Sequence, residues 1–166
     1  MSDGSWQTEL QQALAQSTPS DHRIRVAVVG LGHALRGDDA VGLAVAQRLR
    51  RSCGKWPVLV GGSAPENCTG TLRGFAPDLV VFVDAADLRS RPGTIQWLEC
   101  AQIDGLNAST HTLPLSLVGS YLTAELGCRV GVLAIQPGGN DIGARLSPAV
   151  NRTARCLVQV LSALSA

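Results

Sequence analysis

The chain has 166 residues, 45% hydrophobic and 16% charged, which suits one compact α/β domain and leaves no comfortable room for a second. Its formal net charge of +1 gives no electrostatic reason to expect nucleic acid or an anionic membrane as partner, and no apolar run approaches transmembrane length. Five scattered cysteines without a C-x-x-C pair argue against a disulfide framework and a cysteine zinc site; with no secretion-signal pattern at the start, the expected compartment is the cytoplasm.

Residues 1–22 read as a polar N-terminal extension, although Trp6, Leu10, Ala13 and Leu14 fall at helical spacing before the Ser17-Thr18-Pro19-Ser20 breaker and predict a short docking helix. Residues 23–166 read as a single α/β domain. Ile24–Val29, Val58–Val60, Leu79–Val83 and Val130–Ile135 are short runs rich in branched residues, the pattern of parallel strands buried on both faces. Between them, Val41, Ala44, Val45 and Leu49 mark one helix, and Leu115, Val118, Leu122 and Leu126, closed by Gly127, mark another. Asn67–Phe75 is a weaker helical stretch because Gly70 and Gly74 interrupt it, and a final helix opens at Ser147-Pro148. Thr94–Leu98 reads as a strand that follows Asp84 too closely for a crossover helix, so it must pair antiparallel. The expected fold is a three-layer αβα sandwich, with a five-stranded, mostly parallel twisted sheet, one antiparallel strand and helices on both faces.

In such sheets the working crevice lies beyond the carboxyl ends of the parallel strands. Asp39 follows the first strand, Asp84 ends the third, and His111 precedes a helix that must begin at that same edge because it feeds the strand at Val130. Two carboxylates and one imidazole suit a borderline divalent ion such as nickel or zinc. Taken singly, each has an ordinary use: Asp39 as a helix cap, Asp84 as a strand-end turn residue, His111 as a hydrogen-bonding histidine. Asp38 is expected to cap the helix, His33 to arrange the turn, and Arg48, Arg50 and Arg51 to complement the helix dipole.

The glycine-rich turn Gly30-Leu-Gly32-His-Ala-Leu-Arg-Gly37-Asp38-Asp39 is a poor phosphate loop, because two aspartates stand where an anion would need free N–H groups. The dinucleotide pattern fails as well, with Leu35 in place of its third glycine. Neither a G-x-S-x-G elbow nor an H-E-x-x-H motif occurs, and a Cys68–His111 pair has no local signature to support it.

Four segments in order, Val29-Gly30-Leu-Gly32-His-Ala-Leu-Arg-Gly37-Asp38-Asp39-Ala-Val-Gly42, Gly61-Gly62-Ser-Ala-Pro65-Glu66-Asn67, Val83-Asp84-Ala-Ala-Asp87 and Ser109-Thr110-His111-Thr-Leu-Pro114-Leu115, resemble the [NiFe]-hydrogenase maturation endopeptidases over residues 24–137. The second and fourth look most like the branch that processes the large subunit of hydrogenase 3. His33 stands where the family pattern has Asn, which leaves it either a turn residue or an extra ligand. The resemblance implies a cytoplasmic, metal-dependent endopeptidase that removes a C-terminal extension from the hydrogenase large-subunit precursor after nickel insertion. Nickel would arrive with the substrate and meet Asp39, Asp84 and His111, which are therefore both the metal-facing and the catalytic set. A monomer is expected at this size. Two other readings stay open: a self-sufficient zinc-type metallopeptidase or amidohydrolase using the same triad, and a non-catalytic chaperone that inspects nickel loading.

Overall fold

The computed structural model describes residues 4–52, 54–103 and 113–166. Within them five strands form one sheet, β1 (Val26–Leu31), β2 (Val58–Gly62), β3 (Leu79–Ala85), β4 (Ile95–Glu99) and β5 (Arg129–Ile135), in the order β2-β1-β3-β5-β4. All neighbouring pairs are parallel except β4 with β5, where Ile95 faces Ile135 and Glu99 faces Gly131. The short connection after β3 forced that reversal, as the sequence predicts. The three-layer α/β expectation holds.

Side chains alternate across the strands and give each face its own core. Val26 and Val28 of β1 with Leu79, Val81 and Val83 of β3 pack under α1 (Ser5–Ser17), α2 (Val41–Leu49) and α5 (Pro148–Leu164). Ala27, Val29, Val80, Phe82 and Val132 pack on the other face with Leu72 of α3 (Thr69–Phe75) and Leu115, Val118 and Leu122 of α4 (Leu115–Leu126). β1 and β3 are buried along their whole length, whereas β2, expected to be buried on both faces, is an edge strand with partly exposed residues and Val60 at 42% exposure.

The predicted N-terminal helix forms and docks. Trp6, Leu10 and Ala13 of α1 are fully buried in the first core, and the helix lies against β4 and β3. Its other face is polar, which is why its average composition conceals the contact. Trp97 of β4 is buried, and its ring occupies the space a side chain at Gly131 would need. Among the described residues no helix is long and apolar enough to cross a membrane.

Candidate active site

The carboxyl ends of β1, β2, β3 and β5 share one rim of the sheet, and the segments leaving them build the site. After β1 the chain turns through Gly32, whose φ of +134° is open to glycine, and enters a single-turn helix, Gly37–Ala40, before α2. Gly42, in the first turn of α2, lies so close to the sheet that a Cβ there would come within 2.1 Å of the Val83 carbonyl oxygen and 2.2 Å of that of Leu31. Only glycine allows α2 to press on the ends of β1 and β3. That contact brings the Gly37–Ala40 turn, with Asp39, against the end of β3, where Asp84 follows Val83.

Asp39 is 2% exposed. Its Oδ2 accepts the backbone N–H of His33 at 3.0 Å, while its Oδ1 is shut from solvent with no hydrogen-bond partner among the described residues. A buried polar atom left unpaired costs about 1–3 kcal/mol, so such atoms in native proteins call for an explanation. Asp84 is 1% exposed; its Oδ1 accepts the N–H of Ala85 at 2.8 Å. Alternation along β3 puts it on the face of Val80 and Phe82, the side covered by α3 and α4.

The structure brings Asp39 and Asp84 to adjoining segments of one rim, as the sequence requires. His111, the third member of the expected triad, lies outside the described residues. Among the described residues, no group of three or more His, Cys, Asp and Glu side chains is placed to hold a metal ion. His33 arranges its turn, its Nδ1 accepting the N–H of Leu35 at 3.3 Å.

One expectation is corrected. Asp38 does not cap a helix: its 1%-exposed carboxylate instead holds the segment after β5. Oδ2 accepts the N–H of Gly138 at 2.7 Å, the N–H of Gly139 at 3.2 Å and the hydroxyl of Ser147 at 2.8 Å, and Oδ1 accepts the N–H of Ser147 at 2.6 Å. Four donors a hundred or more residues downstream outcompete the local N–H groups a cap would use. Arg48, at the end of α2, complements the helix terminus as expected but also donates through Nη2 to Asn151 Oδ1 of α5 at 2.8 Å.

Other residues shape the rim beside the expected triad. Gln136, just past β5, accepts the N–H groups of Leu88 at 2.6 Å and Ser90 at 3.3 Å through Oε1 and so shapes the segment after Asp84. Glu66, in the Pro65–Cys68 turn beyond β2, has a buried Oε2 without a hydrogen-bond partner among the described residues. Cys68 is a poor nucleophile: burial first, and the Glu66 charge second, push its thiol above the ordinary value, which disfavours the thiolate. That counts against Cys68 as the nucleophile of a Cys68–His111 pair.

An open α/β sheet whose carboxyl rim carries two buried aspartates, one with an oxygen left without a partner among the described residues, makes this rim the candidate site of a three-layer α/β protein. The family model described as hydrogenase maturation protease matches residues 40–163. The hydrogenase 3 maturation protease of Escherichia coli K12 is 34% identical over 109 residues, 64% of this chain and 69% of that one. A crystal structure of a [NiFe] hydrogenase maturation protease HycI from Thermococcus kodakarensis superposes with a TM-score of 0.80 at 30% identity, covering 90% of this chain and 97% of that one. The solution structure of an endopeptidase HycI from Escherichia coli gives a TM-score of 0.76 at 26% identity over 86% of this chain and 92% of that one. The chain belongs to the hydrogenase maturation protease family. It is an endopeptidase.

Proposed function

We propose that this endopeptidase removes a C-terminal extension from the large-subunit precursor of a [NiFe]-hydrogenase, and that it admits the precursor by the nickel already inserted there. Asp39, Asp84 and His111 are the side chains that meet the substrate's ion. The observation that carries this reading is Asp39 Oδ1, a buried carboxylate oxygen with no hydrogen-bond partner among the described residues, on the rim beside Asp84. Two carboxylates offset the charge of a divalent ion, and the site takes up its full donor set only when a loaded precursor docks.

On this reading the ion registers one peptide bond against the rim, so positioning supplies much of the acceleration. Hydrolysis consumes one water, breaks the C–N bond and leaves a new carboxylate on the large subunit and a new amine on the released peptide. One rim carboxylate takes the proton from the attacking water, and the leaving nitrogen gains a proton.

The test mixes the protein with precursor prepared with and without nickel and weighs the large subunit before and after. Loss of a terminal peptide from the loaded precursor alone is the expected result; equal cleavage of both forms sinks the nickel reading, and cleavage of neither sinks the proteolytic one. Asp39→Asn and His111→Ala should each leave a folded protein that no longer processes the loaded precursor.

A further inference from the structure

Beside the Gly37–Ala40 turn lies a second feature that the site described above does not use. A cavity of about 410 Å³ is lined by Ala34, Gly37, Ala40, Arg48, Arg145 and Asn151, among others. Asp39 sits between two of its wall residues in sequence, so the cavity and the acidic rim are the two sides of one turn.

Two arginines, Arg48 and Arg145, line the cavity, and no carboxylate among the described residues does. Arg48 spends Nη2 on Asn151, but its Nη1 is shut from solvent with no acceptor among the described residues. Arg36, immediately before Gly37, has a buried Nε in the same condition. Arg145 is exposed on the cavity wall, and none of the three guanidinium groups makes an ion pair among the described residues. Asp38 directs its oxygens at four uncharged donors, and neither it nor Asp141, in the same loop as Arg145, forms an ion pair with any of the three among the described residues. An anion entering the cavity meets the exposed Arg145 directly and is favoured by the charge of Arg48 behind it.

The shape selects the anion. Planar guanidinium groups suit the two oxygens of a carboxylate, and the volume falls in the range of small-ligand pockets. Leu35, 61% exposed, and Ile142, 80% exposed, stand on the two loops that border the cavity, joined where the Gly143 N–H donates to the Leu35 carbonyl at 2.8 Å. An apolar lip beside a cationic pocket fits a peptide better than a free inorganic ion.

We propose that the Arg48–Arg145 cavity binds a carboxylate of the precursor's C-terminal extension, anchoring the peptide on one side of the Gly37–Ala40 turn while Asp39 works on the other. This rests on the reading that the substrate is such a precursor. The carboxylate is either an acidic side chain of the extension or its chain terminus, and the experiment separates the two.

Three synthetic peptides with the sequence of the released extension are titrated calorimetrically into the full chain: one unaltered, one with Asp and Glu changed to Asn and Gln, and one with an amidated C-terminus. Arg145→Ala should weaken the unaltered peptide about tenfold, the scale of one charge-assisted hydrogen bond, and Arg145→Lys should recover part of that. One neutralised peptide should show the same loss on the unsubstituted protein and no further loss on Arg145→Ala, which identifies the source of the carboxylate. Equal binding to the protein and to Arg145→Ala overturns the proposal; so does full-strength binding of both neutralised peptides, or no binding of the unaltered one. Arg155→Ala on the exposed face of α5 should change nothing. Failure of the unsubstituted protein to cut loaded precursor strikes the functional reading separately, whatever the titrations give.

Discussion

Asp38→Ala tests how the active rim is held together. The substitution removes one acceptor group and leaves three backbone N–H donors, those of Gly138, Gly139 and Ser147, facing a void, together with the Ser147 hydroxyl. The hydroxyl can turn to another partner; the N–H groups are fixed by the backbone. At about 1 kcal/mol or more for each stranded donor, the loss is at least about 3 kcal/mol. For a domain of this size that floor lowers Tm by about 6–12 °C. Urea unfolding followed by circular dichroism measures the change directly, with Ser147→Ala as the comparison because it removes only one of the four bonds and should cost about 1 kcal/mol. A loss below about 1 kcal/mol for Asp38→Ala, or one equal to that of Ser147→Ala, would refute the assignment of Asp38 as the clasp between the turn after β1 and the segment after β5. Asp39→Asn, one residue away, should change the unfolding free energy by less than about 1 kcal/mol, because it surrenders no satisfied partner at Oδ1 among the described residues.

Trp6→Ala should cost about 3–5 kcal/mol in the same assay, since the ring is fully buried against β3 and β4; a negligible change would mean α1 is dispensable to the core. Gly42→Ala should destabilise by about 3 kcal/mol or more and lower processing as well, because the new methyl meets two backbone carbonyls that cannot step aside; wild-type stability would show that α2 does not press on the sheet as described. Asp78 supplies a pH signature. Burial alone would raise its carboxyl, but the Arg25 N–H and guanidinium together with His22 outweigh that and hold it below the usual carboxylate value. Its contribution is therefore present above the unfolded carboxylate pKa near 4 and disappears as pH falls through the depressed folded value. Asp78→Asn should flatten stability against pH in that acidic window, and an unchanged profile would count against the assignment.

The strands were legible because branched residues cluster in runs that only a doubly covered sheet accommodates, and the reversed β4 followed from the length of one connection. The Asp38–Asp39 pair shows where legibility stops. Both residues occupy a helix-start position, and local rules offer each the same role of cap. What separates them is a partner segment at Gly138–Ser147, about a hundred residues away, which only the assembled sheet brings alongside. The same holds for the unpaired atoms of Asp39, Arg36 and Arg48: a sequence names the donors and acceptors but not which of them go without a partner. The edge character of β2 was likewise invisible, since Val58–Val60 is as apolar as the central strands and differs only in having one neighbour.

The segment between β3 and β4 has its own consequence. Both ends are fixed in the same sheet, and Gln136 suspends its middle from the tip of β5. Residues 86–94 therefore border the rim as a hanging curtain that carries no helix, with only Ala86 and Leu88 reaching into the core under α3 and α4. Arg89 and Ser90 lie outside both cores, so the border of the rim can change there while Asp39 and Asp84 stay where they are.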